Sequence, residues 1–134
     1  MVKTALITGG SGLLALNWAL AIKGQYNVVL ALHNRDIEVR GVKTIFFSLD
    51  DKESIKKVFQ KYSPDIVIHT AGLTNIEECE KDKELAKYVN VKLAKNIATV
   101  CRDSNVKLVH ISTDHLFSGI HGCISNSFKA FSKV

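Results

Sequence analysis

The chain has 134 residues, of which 46% are hydrophobic and 23% are charged. This length fits one globular domain with its own core, and the composition excludes a disordered or collagen-like chain. No apolar run approaches the roughly 20 residues that span a bilayer, and the amino-terminal segment lacks the features of a signal peptide. Three widely separated cysteines exclude a disulfide framework and a zinc site. We therefore expect a cytoplasmic protein without membrane contact or a bound metal.

The formal charge is +5, from 18 basic and 13 acidic residues. The basic residues are spread along the chain and mixed with acids, as in residues 81–84 (Lys-Asp-Lys-Glu). No basic stripe is interleaved with aromatic residues, so we expect no nucleic-acid partner. A small anionic ligand suits the sign of the charge equally well.

Short apolar runs alternate with helical patterns along the chain. In chain order they predict a strand at 5–7, a helix at 13–22 closed by Gly24, strands at 28–32 and 44–47, a helix capped by Asp51 and ending before Pro64, a strand at 66–68, a long helix from about 82 to 104, and a strand at 108–111. Segment 36–41 is too short for a crossover helix. Because the strands are continuous apolar runs, they are typical of a parallel sheet buried on both faces. The fold class predicted is α/β, a doubly wound (Rossmann) parallel sheet.

A glycine-rich turn follows the first strand and precedes the first helix. Gly9, Gly12 and Ala15 occupy the positions of a Gly-x-x-Gly-x-x-Gly/Ala pattern. Glycines allow a tight turn and close approach of a pyrophosphate, and the helix N-terminus offers unpaired N–H groups to the phosphates. The turn therefore predicts dinucleotide binding, with a plain strand–helix turn as the alternative.

The segment after the second strand indicates which dinucleotide is bound. An acid there accepts hydrogen bonds from a ribose 2′-hydroxyl, whereas an arginine pairs with a 2′-phosphate. This chain has His33, Asn34 and Arg35, with no acid before Asp36. Arg35 favours NADP over NAD as the cofactor. The alternative is a solvated loop arginine.

Several motifs in the same order resemble one known family. They are residues 8–12 (Thr-Gly-Gly-Ser-Gly), 64–72 (Pro-Asp-Ile-Val-Ile-His-Thr-Ala-Gly), 74–80 (Thr-Asn-Ile-Glu-Glu-Cys-Glu), 89–91 (Val-Asn-Val) and 108–114 (Leu-Val-His-Ile-Ser-Thr-Asp). The chain resembles the extended short-chain dehydrogenases/reductases, most closely the dTDP-4-dehydrorhamnose reductase group. The resemblance covers residues 1–119, as an NAD(P)-binding Rossmann domain that is truncated and whose sheet is incomplete at its C-terminal side. Residues 120–134 form a divergent tail.

The resemblance implies a role for each matching position. It places Gly9, Ser11, Gly12, Leu13 and Leu14 against the cofactor pyrophosphate, Arg35 at the 2′-phosphate, Ser48 and Leu49 at the adenine, and Ala71, Gly72 and Thr74 along the ribose and nicotinamide. Ser48 stands where the family usually has an acid. Asn90 is implied as a hydrogen-bonding anchor of the active site, with a satisfied structural amide as the alternative. Thr113 is implied as the catalytic hydroxyl that polarises the substrate carbonyl, with a strand-end hydroxyl as the alternative.

The chain departs from the family at the proton donor. The family has a Tyr four residues before a Lys on the helix after the fifth strand, where the Lys lowers the pKa of the phenol. Here the tail has no such pair, and the tyrosines Tyr26, Tyr62 and Tyr88 all lie upstream. His69 and His110 are expected to be buried strand residues without a chemical role.

Three hypotheses follow from this departure. The chain is the N-terminal portion of an NADP-dependent reductase of a nucleotide-linked 4-keto-deoxysugar, or a catalytically silent NAD(P)-binding regulatory or interaction protein, or an enzyme that borrows its acid from a partner chain. As the chain stands, we expect it to bind NADPH weakly, if at all, and to show no turnover. Because the last strand of the sheet is missing from the pattern, we further expect self-association through an exposed sheet edge.

Overall fold

The structure is a computed structural model and describes residues 1–112. Its elements in chain order are β1 (Thr4–Thr8), α1 (Leu13–Ile22), β2 (Asn27–Leu32), β3 (Lys43–Phe46), α2 (Lys52–Tyr62), β4 (Ile66–His69), α3 (Ile76–Lys81), α4 (Lys83–Lys87), a π-helical turn (Tyr88–Leu93), α5 (Ala94–Asp103) and β5 (Lys107–His110). All five predicted strands and the helices at 13–22 and after Asp51 are confirmed within two residues.

The strands form one parallel sheet in the order β3-β2-β1-β4-β5. From β1 the chain winds outward to β3, then crosses back over β1 to β4 and winds outward in the other direction. The loops that leave the carboxyl ends of β1 and β4 therefore diverge and open a crevice between them. This arrangement confirms the predicted doubly wound fold, and ligands bind such sheets at this crevice.

The sheet is covered on both faces, which explains the continuous apolar runs of the inner strands. One face packs against α1, with a buried cluster formed by Ile7, Ala15, Ala19, Val28, Leu30, Leu32 and Ile68. The other face packs against α2 and α5, with a buried cluster formed by Leu6, Val29, Ala31, Ile55, Phe59, Val67, Ile97, Val100 and Cys101.

Three local predictions are refined or corrected. Segment 36–41 crosses from β2 to β3 without a helix, and its Ile37 and Val39 pack against the α1 cluster. The predicted long helix at 82–104 is divided into α4, the π-helical turn and α5, and the short helix α3 precedes it. Gly24 does not adopt the left-handed conformation of a glycine cap, so that prediction is wrong.

Candidate functional site

The turn between β1 and α1 packs so closely against its neighbours that no side chain fits at Gly9 or Gly10. Gly9 has a φ of +71°, and a Cβ placed on it would lie 2.7 Å from the Ala71 nitrogen and 2.8 Å from Thr70 Oγ1. A Cβ on Gly10 would lie 2.7 Å from the Ala31 carbonyl oxygen, to which the Gly10 amide donates. The turn is therefore wedged between the carboxyl ends of β2 and β4. The requirement at Gly10 was not predicted, because its cause is a neighbouring strand and not a local pattern.

The first turn of α1 offers free main-chain donors to the crevice. Gly12 is the N-cap with an extended backbone, no side chain caps the helix, and the first turn has no acidic residue. Leu13 and Leu14 are 80% and 43% exposed, while Ala15 is fully buried and brings the helix close to the sheet. Uncapped N–H groups and the positive end of the helix dipole bind phosphate. This cradle fits the pyrophosphate of a dinucleotide.

The loop after β4 faces the glycine turn across the crevice. Ala71 contacts Gly9, as described, and the Thr70 hydroxyl donates to the Thr8 carbonyl at 2.8 Å. Gly72 and Thr74 are exposed. The structure therefore brings the predicted pyrophosphate and nicotinamide segments to the two sides of one crevice.

Asn90 holds this loop from the π-helical turn. Its Oδ1 accepts from the Leu73 amide at 2.8 Å, and its Nδ2 donates to the Leu73 carbonyl at 3.0 Å. A Cβ on Gly72 would lie 3.3 Å from the same Oδ1. Asn90 is exposed, and both polar atoms of its side-chain amide are hydrogen-bonded to the loop. These contacts are those of a structural amide that anchors the loop.

The segments predicted to bind the adenosine end lie after β2 and β3. Arg35 is exposed, and no carboxylate of residues 1–112 lies within ion-pair distance of it. The Ser48 hydroxyl donates to the Asp50 carboxylate and accepts from the Asp50 amide, so its hydrogen bonds are used within the loop. Leu49 packs partly buried against the α2–α5 cluster. Only the guanidinium among these side chains is free for an anion.

A row of polar side chains crosses the carboxyl ends of three strands. Buried Thr8 Oγ1 and buried His69 Nδ1 lie 2.7 Å apart, and the His69 and His110 rings stack with centroids 5.4 Å apart. Burial, with His110 as a second cause, lowers the pKa of His69 to about 4, so the ring is neutral at pH 7. His69 is buried as predicted, whereas His110 is exposed and the prediction for it is wrong.

The position implied for catalysis, Thr113, lies outside the described residues. A Tyr-x-x-x-Lys spacing that was not predicted as a site lies at Tyr88 and Lys92 on the π-helical turn, where the Lys92 ammonium lies 5.1 Å from the centre of the Tyr88 ring. That contact covers the ring face, and the pair precedes β5, whereas the family pair follows the fifth strand.

Two other features bear on the kind of site. Within residues 1–112, no three His, Cys, Asp or Glu side chains are grouped so that they could hold a metal ion. In the same part of the chain, no helix combines the length and apolar character needed to cross a membrane.

Comparisons with known proteins agree with this geometry. The chain is 30% identical over 119 residues to the dTDP-4-keto-6-deoxy-D-glucose reductase of Streptomyces niveus, which covers 89% of this chain and 38% of the relative. The structure of a hypothetical dTDP-4-dehydrorhamnose reductase from Sulfolobus tokodaii superposes with a TM-score of 0.82 at 26% identity, over 96% of this chain and 46% of that one. The structure of the Bacillus anthracis dTDP-4-dehydrorhamnose reductase in complex with NADP superposes with a TM-score of 0.74 at 25% identity, over 91% of this chain and 40% of that one.

The chain therefore spans less than half the length of these relatives. The family model of the RmlD substrate binding domain matches residues 3–129, which extends past residue 119, where the motif resemblance ends. The resemblance to the dTDP-4-dehydrorhamnose reductase group is confirmed, and the chain belongs to the RmlD substrate binding domain family.

Proposed function

We propose that the chain forms the cofactor-binding part of an NADP-dependent reductase that acts on a nucleotide-linked 4-keto-deoxysugar. The observation that carries the proposal is the crevice between β1 and β4, where Gly9 packs on Ala71 beside the uncapped first turn of α1. Family membership and the NADP complex of the Bacillus anthracis relative support it. The proposed compartment is the cytoplasm.

Each part of the crevice has a place in this proposal. The first-turn amides of α1, with Ser11 and Gly12, bind the pyrophosphate, and Arg35 pairs with the 2′-phosphate. The loop of Ala71, Gly72 and Thr74 borders the ribose and nicotinamide. The cofactor, when bound, supplies a hydride to the keto carbon. Thr113 donates a hydrogen bond to the keto oxygen and thereby polarises the carbonyl.

The choice of NADP over NAD is tested at Arg35. We expect Arg35→Ala to weaken NADPH binding about tenfold, because a charge-assisted contact to the 2′-phosphate is lost, and to leave NADH binding unchanged. The matched control is Arg102→Ala, which changes an arginine at the opposite end of the sheet that pairs with Asp103. Titration of nicotinamide fluorescence measures all four affinities. Equal weakening of both cofactors, or no signal with the unaltered chain at millimolar NADPH, would contradict the proposal.

The second candidate is a catalytically silent NAD(P)-binding regulatory or interaction protein. The finding that favours it is a relative in Xenopus laevis that is named methionine adenosyltransferase 2 subunit beta and not a reductase; it is 28% identical over 118 residues, 87% of this chain and 34% of the relative. Under both candidates we expect the pure chain to show no NADPH oxidation with a dTDP-4-keto-6-deoxysugar, and steady oxidation would refute this expectation. The DNA that follows the segment encoding these residues, read in all frames, separates the candidates, because a Tyr-x-x-x-Lys encoded there on a helix after the fifth strand supports the reductase and argues against the silent protein.

A further inference from the structure

Asn96 is a buried amide side chain within α5 that reaches a distant loop. Its residue is 9% exposed and lies beside Ile97 in the face that packs on the sheet. Its Nδ2 donates to two consecutive main-chain carbonyls, Leu49 at 2.9 Å and Asp50 at 2.7 Å. A primary amide carries two N–H bonds on this nitrogen, so the two contacts use its whole donor capacity.

The loop that Asn96 holds has otherwise only local hydrogen bonds in the described part of the chain. Ser48 and Asp50 bond to each other, and Asp51 accepts from Ser54 as the N-cap of α2. The two Asn96 contacts span 47 and 46 residues of sequence and connect the loop to α5. The strand before it, β3, lies at the sheet edge, and its last residue Phe46 is 56% exposed. An edge strand provides weak support, and Leu49 packs only partly buried against the α2–α5 cluster, so the two Asn96 hydrogen bonds are the long-range polar contacts that fix the loop main chain in the described part of the chain.

We infer that Asn96 is a positioning residue for the adenosine end of the cofactor crevice. By holding the Leu49 and Asp50 carbonyls against α5, it fixes the path of the Ser48–Leu49 segment that borders the adenine. The inference rests on the proposed function. Asn90, six residues before Asn96 on the same helical segment, holds the loop after β4 in the same way, through two hydrogen bonds to the Leu73 main chain. The two asparagines thus hold separate loops, one on each half of the dinucleotide.

The affinity of the 134-residue chain is measured separately for ligands that represent the two halves of the cofactor. Adenosine 2′,5′-bisphosphate probes the adenosine end, and reduced nicotinamide mononucleotide probes the other. We expect Asn96→Ala to weaken binding of adenosine 2′,5′-bisphosphate about tenfold, because the ligand must then order a loop that Asn96 no longer holds. Binding of reduced nicotinamide mononucleotide should not change. Thr99→Ala is the control on the same helix, since the Thr99 hydroxyl donates only to the Lys95 carbonyl one turn away. It should change neither affinity.

Hydrogen exchange of the unliganded variants provides a second readout. In Asn96→Ala the amides of residues 47–51 should exchange faster than in the unaltered chain, while those of residues 71–74 stay unchanged. Asn90→Ala should show the reverse pattern, because its side chain holds only the Leu73 loop. If Asn96→Ala does not fold, Asn96→Gln keeps the amide but displaces it, and selective weakening for the adenosine ligand is still expected.

The outcomes separate this inference from the proposed function. Unaltered binding of adenosine 2′,5′-bisphosphate by Asn96→Ala, or equal weakening of both ligands, overturns the role of Asn96 alone. Failure of the unaltered chain to bind adenosine 2′,5′-bisphosphate overturns the proposed function together with this role.

Discussion

At Gly9 the main chain has a φ of +71°, and it lies so close to Ala71 that a Cβ on Gly9 would be 2.7 Å from the Ala71 nitrogen. We expect Gly9→Ala to lower the free energy of unfolding by about 3 kcal/mol, since it combines a left-handed backbone with a steric clash against main-chain atoms. Gly24→Ala is the matched control, because no atom lies within 4 Å of its Cβ position and its φ is ordinary. Urea unfolding of both variants measures the difference. A change at Gly9 as small as that at Gly24 would contradict the close packing of the turn.

The buried ring of His69 makes stability depend on pH. Its pKa is about 4 in the folded chain and near 6.5 when unfolded, so between these values only the unfolded chain binds the proton. The stabilisation from the neutral ring is therefore complete above about pH 6.5 and is lost as the pH falls toward about 4. We expect the free energy of unfolding of the unaltered chain to fall between about pH 7.5 and about pH 5.

Two variants isolate this contribution. His69→Gln should be less sensitive to pH over the same interval, because it has no ring to protonate, whereas His33→Gln, which changes an exposed histidine, should keep the original dependence. Urea unfolding at the two pH values measures both. Equal pH dependence in His69→Gln and the unaltered chain would show that His69 is not the source.

At the scale of elements, the sequence predicted the strands better than the last helical segment. Strands such as β2 are continuous apolar runs and need no tertiary information. Leu85, Val89, Leu93 and Ile97 predict one helix, but a repeat of four exceeds the α-helical period by about 0.4 residue per turn. The π-helical turn at Tyr88–Leu93, with its wider hydrogen-bond spacing, absorbs part of this difference. No apolar periodicity marks α3, which has no buried residue.

Helix α5 packs against the sheet and holds the loop after β3 through Asn96, and Ile97 is one of its fully buried residues. We expect Ile97→Ala to lower the free energy of unfolding by about 3 kcal/mol, through lost burial and the cavity left behind. Val91→Ala, in the π-helical turn and 53% exposed, should change it by less than about 0.5 kcal/mol. Chemical unfolding of the pair checks the packing of α5. Similar losses in both variants would contradict the burial of Ile97 against the sheet.

At the scale of the whole molecule, β5 pairs with β4 on one side and with no strand on the other among residues 1–112. We expect the chain to self-associate through this edge, because unpaired strand N–H and C=O groups favour the addition of another strand. Sedimentation velocity at rising concentration measures it. Phe46→Lys, at the opposite edge of the sheet, should leave the association unchanged. A monomer at all concentrations, with a sharp unfolding transition, would contradict this expectation.

The fold and the centre of the crevice could be predicted from the sequence, whereas the supports of the crevice could not. Gly9 and Gly12 follow a spacing that the phosphate turn itself requires. Gly10 contacts the main chain of β2, and Asn96 contacts the main chain of the loop after β3. Because every residue has the same main-chain atoms, no residue type in the sequence indicates these partners.

Hydrogen exchange with and without millimolar NADPH tests most directly whether the crevice between β1 and β4 binds a dinucleotide. We predict slower exchange of the Leu13 and Leu14 amides in the first turn of α1 and of the loop at residues 71–74, with little change in α2. Absence of protection at saturating NADPH, or protection confined to segments away from this crevice, would contradict the account.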